Sequence, residues 1–178
     1  MRSNTKKTVL KTIRITEELD EILHKDVKAK RMNVNTLISS ILTKYAEWDR
    51  FSERFGIVSL RQDTMKSLME SVEDEKLAKL AKQIGGRIPK ELILFLFKKI
   101  TVETYLEYLA RLCRYSGYGQ YEVETDGRDY IITILHNMGS KWSMYLGTGI
   151  EAGMKNTIGS VPRLETTETS IVIRFQMP

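Results

Sequence analysis

Lys11-Thr12-Ile13-Arg14-Ile15-Thr16-Glu17-Glu18-Leu19 runs a short alternating segment straight into a helix start. Over residues 9–15, Ile13 and Ile15 point one way, with Lys11 or Val9 behind them, while Leu10, Thr12 and Arg14 point the other, the period of two of a β-strand. Thr16 is a good N-cap, and Glu17 and Glu18 stand where the positive end of a helix dipole favours anions. A lone strand of this length buries too little apolar surface to be stable. It therefore needs a partner, and the simplest is the same strand from a second copy of the chain. Two such strands side by side present polar and cationic side chains on a ribbon that a DNA major groove can admit. The expectation is a DNA-binding dimer.

Beyond this stretch, Leu19, Ile22, Leu23 and Val27 line one face of a first helix that ends near Arg31. Asn33 caps the next, in which Leu37, Ile38, Ile41, Leu42 and Tyr45 recur at helical spacing to about Trp48. Charge is distributed unevenly along the 178 residues, whose formal net charge is +5. Residues 1–50 hold eleven Lys/Arg against seven Asp/Glu, and the remainder seventeen against sixteen. Arg2, Lys6, Lys7, Lys11 and Arg14 meet no acid within the first sixteen residues. Because phosphate contacts supply most non-specific DNA affinity, these cations put the expected DNA surface, with its phosphate contacts, at the N-terminus.

Composition narrows the class. Apolar residues make up 42% and charged residues 29%, as in an ordinary globular protein. The longest apolar run, residues 92–97, is far below a membrane span, and the basic N-terminus lacks the apolar segment of a secretory signal. A single cysteine, Cys113, leaves no internal disulfide framework, fits a reducing cytoplasm, and reads as a small apolar residue on a helix. The expected protein is cytoplasmic, with no membrane partner.

The remaining chain divides into a linker at 51–60 and a domain at 61–178, after an N-terminal module at 1–50. Amphipathic helices are expected from Asp63 to about Val72 and from Glu75 to Ile84, the second ended by Gly85-Gly86. Pro89 suits the first turn of a helix over about 88–100, whose nearly all-apolar run predicts the buried central helix of the domain. Another helix spans 101–114. After Gly117 the texture changes to alternation around Tyr121, Val123 and Thr125, with a hairpin signal at Asp126-Gly127 and a returning strand over 130–136. A helix from Ser140 to about Ile158 and short strands near 161–165 and 170–175 complete a β-β-α-β-β unit. The fold class is α+β, with a largely antiparallel sheet.

Strand, helix capped by Thr16, turn, helix capped by Asn33: residues 9–48 resemble the ribbon-helix-helix family of the Arc and MetJ repressors. The resemblance implies an obligate homodimer whose two strands pair antiparallel in the major groove of double-stranded DNA. On that pattern Leu10, Thr12 and Arg14 face base edges, and Ile13 and Ile15 are core. Arg14 is the best guanine reader, since a guanidinium bonds O6 and N7 together; Thr12 can bond or touch a thymine methyl, and Leu10 offers apolar contact. The family also anchors phosphate at the N-terminus of its second helix, here Asn33, the N–H groups of Val34 and Asn35, and the Asn35 side chain. Family members often carry glycine at the inter-helix turn. Arg31 stands near that position, and its side chain can add a phosphate contact.

Elsewhere the chemistry is sparse. Two histidines, His24 and His136, fall in different domains, no Cys/His spacing suits zinc, and Gly139-Ser140-Lys141 lacks the order of a phosphate-binding loop. No catalytic residue, metal or cofactor is expected. The polar and aromatic cluster 136–143, with Tyr121, Tyr130 and Tyr145 near it, is a candidate ligand pocket lined by Tyr121, Tyr130, His136, Trp142 and Tyr145; the competing reading is a helix cap with Trp142 as packing anchor. Gly147, Gly149 and Gly153 predict close approach of the sheet, a second helix or a partner subunit. The order of elements in the C-terminal half is similar, at the level of fold alone, to vinyl-reductase-type ligand-binding domains, without their terminal cysteine motif. The expected function is thus a dimeric DNA-binding transcriptional regulator, with the C-terminal domain oligomerising, binding a signal, or both. Its alternatives are an ordinary decorated edge strand at 9–15, an antitoxin-like or scaffold interaction module, and a ligand-sensing regulator.

Overall fold

A computed structural model describes residues 8–52 and 54–177. Contacts divide the chain into two units, meeting between Arg50 and Phe51.

In the first unit, residues 8–16 carry neither helix nor strand. The strand expected at 9–15 is therefore absent from the single chain, because nothing lies alongside to complete its hydrogen-bond ladder. Helix α1 (Glu17–Lys30) begins where Thr16 Oγ1 accepts from the Leu19 N–H at 3.3 Å. It ends on Arg31, which takes the left-handed conformation at φ 52°, and Met32 N–H returns to the Val27 carbonyl at 3.1 Å, a Schellman-type end. Helix α2 (Val34–Lys44) is capped by Asn33 and passes through a π-helical turn, Tyr45–Asp49, into the single turn α3 (Arg50–Ser52). The unit's core is small. Leu23, Val27 and Leu37 are buried, with Val34 and Ile38 against them. Leu19, Ile22, Ile41, Leu42 and Tyr45, assigned by periodicity to the same faces, are exposed. Ile13 and Ile15, expected as core, are also solvent-accessible at 60% and 39%. One copy does not supply enough surface to cover them.

The second unit holds α4 (Gln62–Glu70), α5 (Asp74–Gly85), α6 (Ile88–Phe97), α7 (Val102–Ser116), β1 (Gln120–Asp126), β2 (Asp129–Leu135), α8 (Ser140–Ile158), β3 (Arg163–Thr166) and β4 (Ser170–Gln176). The four strands form one antiparallel sheet in the order β1-β2-β4-β3. Gly127 at φ 63°, followed by Arg128 at negative φ, closes the β1–β2 loop with the φ pattern of a type II′ turn. Register pairs Ile132 with Ile173 and Ile134 with Ile171, and all four are buried on one face of the sheet. Helices cover that face, giving the α+β arrangement.

The central helix is α8, not α6. Met154 and Ser143 of α8 are 0% and 1% exposed, whereas Leu94 of α6 is 43% exposed. The reason is backbone approach: a Cβ at Gly85 of α5 would overlap the Gly149 carbonyl of α8, so these two helices pack closer than any side chain allows. Among the partners left open for the glycines, a second helix takes Gly149, and Gly147 lies against β3 side chains. The apolar run of α6 is used at the flank instead. Phe95 meets Phe55 and Phe51 edge-on at 4.9 and 5.4 Å, with Arg54 above its ring at 4.4 Å. The segment expected as linker thus contributes two packed rings. Cys113 of α7 is buried, and burial pushes its thiol up to about 12, well out of the reactive range.

Candidate nucleic-acid interface

Two neighbouring stretches of the first unit carry the predicted contact residues. In the first, Leu10, Lys11, Thr12 and Arg14 are all exposed, as are Val9 at 74% and Leu10 at 93%. A segment this apolar, bare and adjacent to cations is unusual for a completed surface. Arg2, Lys6 and Lys7 lie outside the described residues.

The second stretch is the start of α2. Asn33 Oδ1 accepts from the Thr36 N–H at 2.8 Å and from the Thr36 hydroxyl at 3.0 Å, and Leu37 N–H goes to the Asn33 carbonyl. This cap uses the third free N–H of the helix and leaves those of Val34 and Asn35 without a protein acceptor among the described residues. They line an open hollow of about 550 Å³ together with Asn33, Thr36 and Ser39. Electrostatics separate the two helices of the unit. The first turn of α1 holds Glu17, Glu18 and Asp20, which neutralise its positive end; the first turn of α2 holds no acid. Its dipole is available to an outside anion. Arg31, held left-handed two residues before Asn33, is exposed. Thr36 and Ser39 were not singled out from sequence, although hydroxyls at the third and sixth positions of a capped helix were a readable signal.

The five residues offered as a C-terminal ligand pocket do not converge. Trp142 stacks on Tyr145 at 5.9 Å, and Tyr118 meets Trp142 edge-on at 5.2 Å. Tyr130 instead stacks on Phe175 at 5.1 Å, across the β2–β4 ladder. The Tyr121 hydroxyl is buried without a partner, and burial raises its pKa. His136 faces a different element again. Its Nδ1 accepts from Met138 N–H at 3.3 Å, its Nε2 lies 3.0 Å from Ser143 Oγ, and that hydroxyl donates to the Thr167 carbonyl at 2.6 Å. The Ser143 proton is thus committed to a backbone carbonyl, so the pair clamps α8 to the ends of β2 and β3 rather than forming a nucleophile and base. Sequence reasoning failed here because strand residues two apart share a face, but which helix covers that face is decided by packing.

Among the described residues, no group of three His, Cys, Asp or Glu is placed to hold a metal ion, and no helix is long and apolar enough to cross a membrane. No protein-family model matches this chain, and a search of curated proteins returned no significant match.

Proposed function

We propose that the chain is a dimeric, sequence-specific DNA-binding transcriptional regulator acting in the cytoplasm. In this reading residues 9–15 of two copies pair antiparallel, giving the ribbon-helix-helix arrangement, and enter the major groove of a twofold-symmetric operator. Leu10, Thr12 and Arg14 face the bases, and the start of α2 grips the flanking phosphate through Val34 and Asn35.

One observation carries the proposal. Residues 9–15 are apolar on one side, polar and cationic on the other, and unpaired in a single chain, next to two capped helices whose apolar faces are half bare. A second copy of the same segment answers all three needs at once: it completes the ladder, covers Ile13 and Ile15, and leaves the polar row outward. The acid-free start of α2 supports the DNA part of the reading separately, since it is the natural seat for a phosphate.

Two measurements on the full chain test it. Sedimentation equilibrium at micromolar concentration should give a dimer. Selection from random duplex DNA should return a motif with twofold symmetry, bound with an affinity that falls steeply as salt rises. A monomer with no enriched motif would overturn the proposal.

A further inference from the structure

We infer that the helical layer of the C-terminal unit contains a binding site for a small, neutral, mainly apolar molecule whose single oxygen accepts a hydrogen bond from the Tyr108 phenol. The site is a cavity of about 90 Å³ between α5, α6, α7 and α8. Gly85 and Gly149 form part of its wall, and Tyr105, Tyr108, Tyr118 and Tyr145 bring four phenols to it. A buried water needs only about 10–15 Å³, whereas an apolar cavity of about 150 Å³ is known to hold a benzene ring. The space here suits a five- or six-membered ring or a short branched chain, partly protruding past the half-buried Tyr118 and Tyr145.

The chemistry of the lining narrows the ligand. No Lys, Arg, His, Asp or Glu borders the cavity. An ion entering it would lose its hydration with no counter-charge to replace it, so the ligand is neutral. Tyr105 is wholly buried, and its hydroxyl already donates to the Ile150 carbonyl at 3.2 Å. Tyr108 is only 4% exposed, yet among the described residues its hydroxyl has no protein partner. A buried donor left unmade is costly, and an acceptor in the cavity removes that cost. Burial holds the phenols well above their ordinary pKa, Tyr118 at about 12, so all of them remain donors across the physiological range. A ligand oxygen that only accepts, as in a ketone or aldehyde, fits best.

The inference does not depend on DNA binding by the first unit. Its test is a titration of cyclohexanone into the full-length protein, followed by amide chemical shifts. Saturable shifts at Gly85, Gly149 and Ile150, with a rise in melting temperature, are expected. Tyr108→Phe should weaken the affinity about three- to tenfold, the worth of one hydrogen bond. Tyr130→Phe, which lies outside the cavity lining, should leave it unchanged, and cyclohexanecarboxylate should not bind at the same concentrations. Shifts that fail to saturate, an undiminished affinity in Tyr108→Phe, or equal binding of the carboxylate would each overturn the assignment, leaving a gap filled by water.

Discussion

Gly85 and Gly149 touch across α5 and α8, and the contact is asymmetric in a way that substitution can read. An alanine Cβ at Gly85 would sit 2.5 Å from the Gly149 Cα and 2.6 Å from its carbonyl carbon, with no flexible side chain able to yield. The two helices must separate, or one must shift along the other. Overpacking of this kind costs about 1–3 kcal/mol, and the upper end applies because both colliding groups are backbone. The helix-propensity gain of alanine, about 1 kcal/mol in a helix interior, is smaller at the last residue of α5. Gly85→Ala should therefore lose about 2–3 kcal/mol net. At Gly149 the new Cβ would meet the Ala81 carbonyl at 3.5 Å and the Gly85 Cα at 4.0 Å, ordinary contacts. Lying mid-helix, Gly149→Ala should be neutral or stabilising by up to about 1 kcal/mol. Urea denaturation followed by circular dichroism separates the two. Equal stability of Gly85→Ala and the parent would refute the close packing of α5 on α8.

Other expectations follow from the same reasoning. Arg31→Gly should stabilise the first unit by about 1 kcal/mol, because glycine has no left-handed penalty to overcome; calorimetry giving a lower melting temperature would contradict the cap geometry. Burial lowers the His136 pKa, so the unfolded chain takes up its proton more readily than the folded one. The stability linked to the neutral ring is complete above the ordinary histidine value of about 6.5 and is lost as pH falls from there through the folded value. Melting temperatures between about pH 8 and 5 should fall on acidification more in the parent than in His136→Asn. Arg14→Ala should weaken binding to a selected operator by about 1–3 kcal/mol while sparing non-specific affinity; equal discrimination between sites, measured by anisotropy, would count against base reading by that face.

The two halves of the chain differ in how far their local signals reach. Caps at Thr16 and Asn33, the turn at Gly127, the helix end at Gly159 and the antiparallel β-β-α-β-β order were all legible, because each depends on residues within one turn or one pleat of another. The α2 hollow was legible for the same reason: a free N–H at a helix start is a property of position, whatever lies around it. The strand at 9–15 was legible only as a need. Its pairing is intermolecular, and the single chain leaves Leu10 and Ile13 bare.

Sequence by itself determined the elements, their order, and where charge and free backbone donors stand. Tertiary structure alone decided which helix occupies the centre. An apolar run in α6 and a glycine-studded α8 both suit burial, but only the second lets another backbone come within contact distance at Gly85. The tyrosine-lined cavity is decided at the same level. Tyr105 and Tyr108 were visible on a helix, Tyr118 and Tyr145 were not near them in sequence, and their meeting depends on how α5 and α7 pack around α8. Period and capping are short-range physics; which faces close on each other depends on the volumes of all the side chains together.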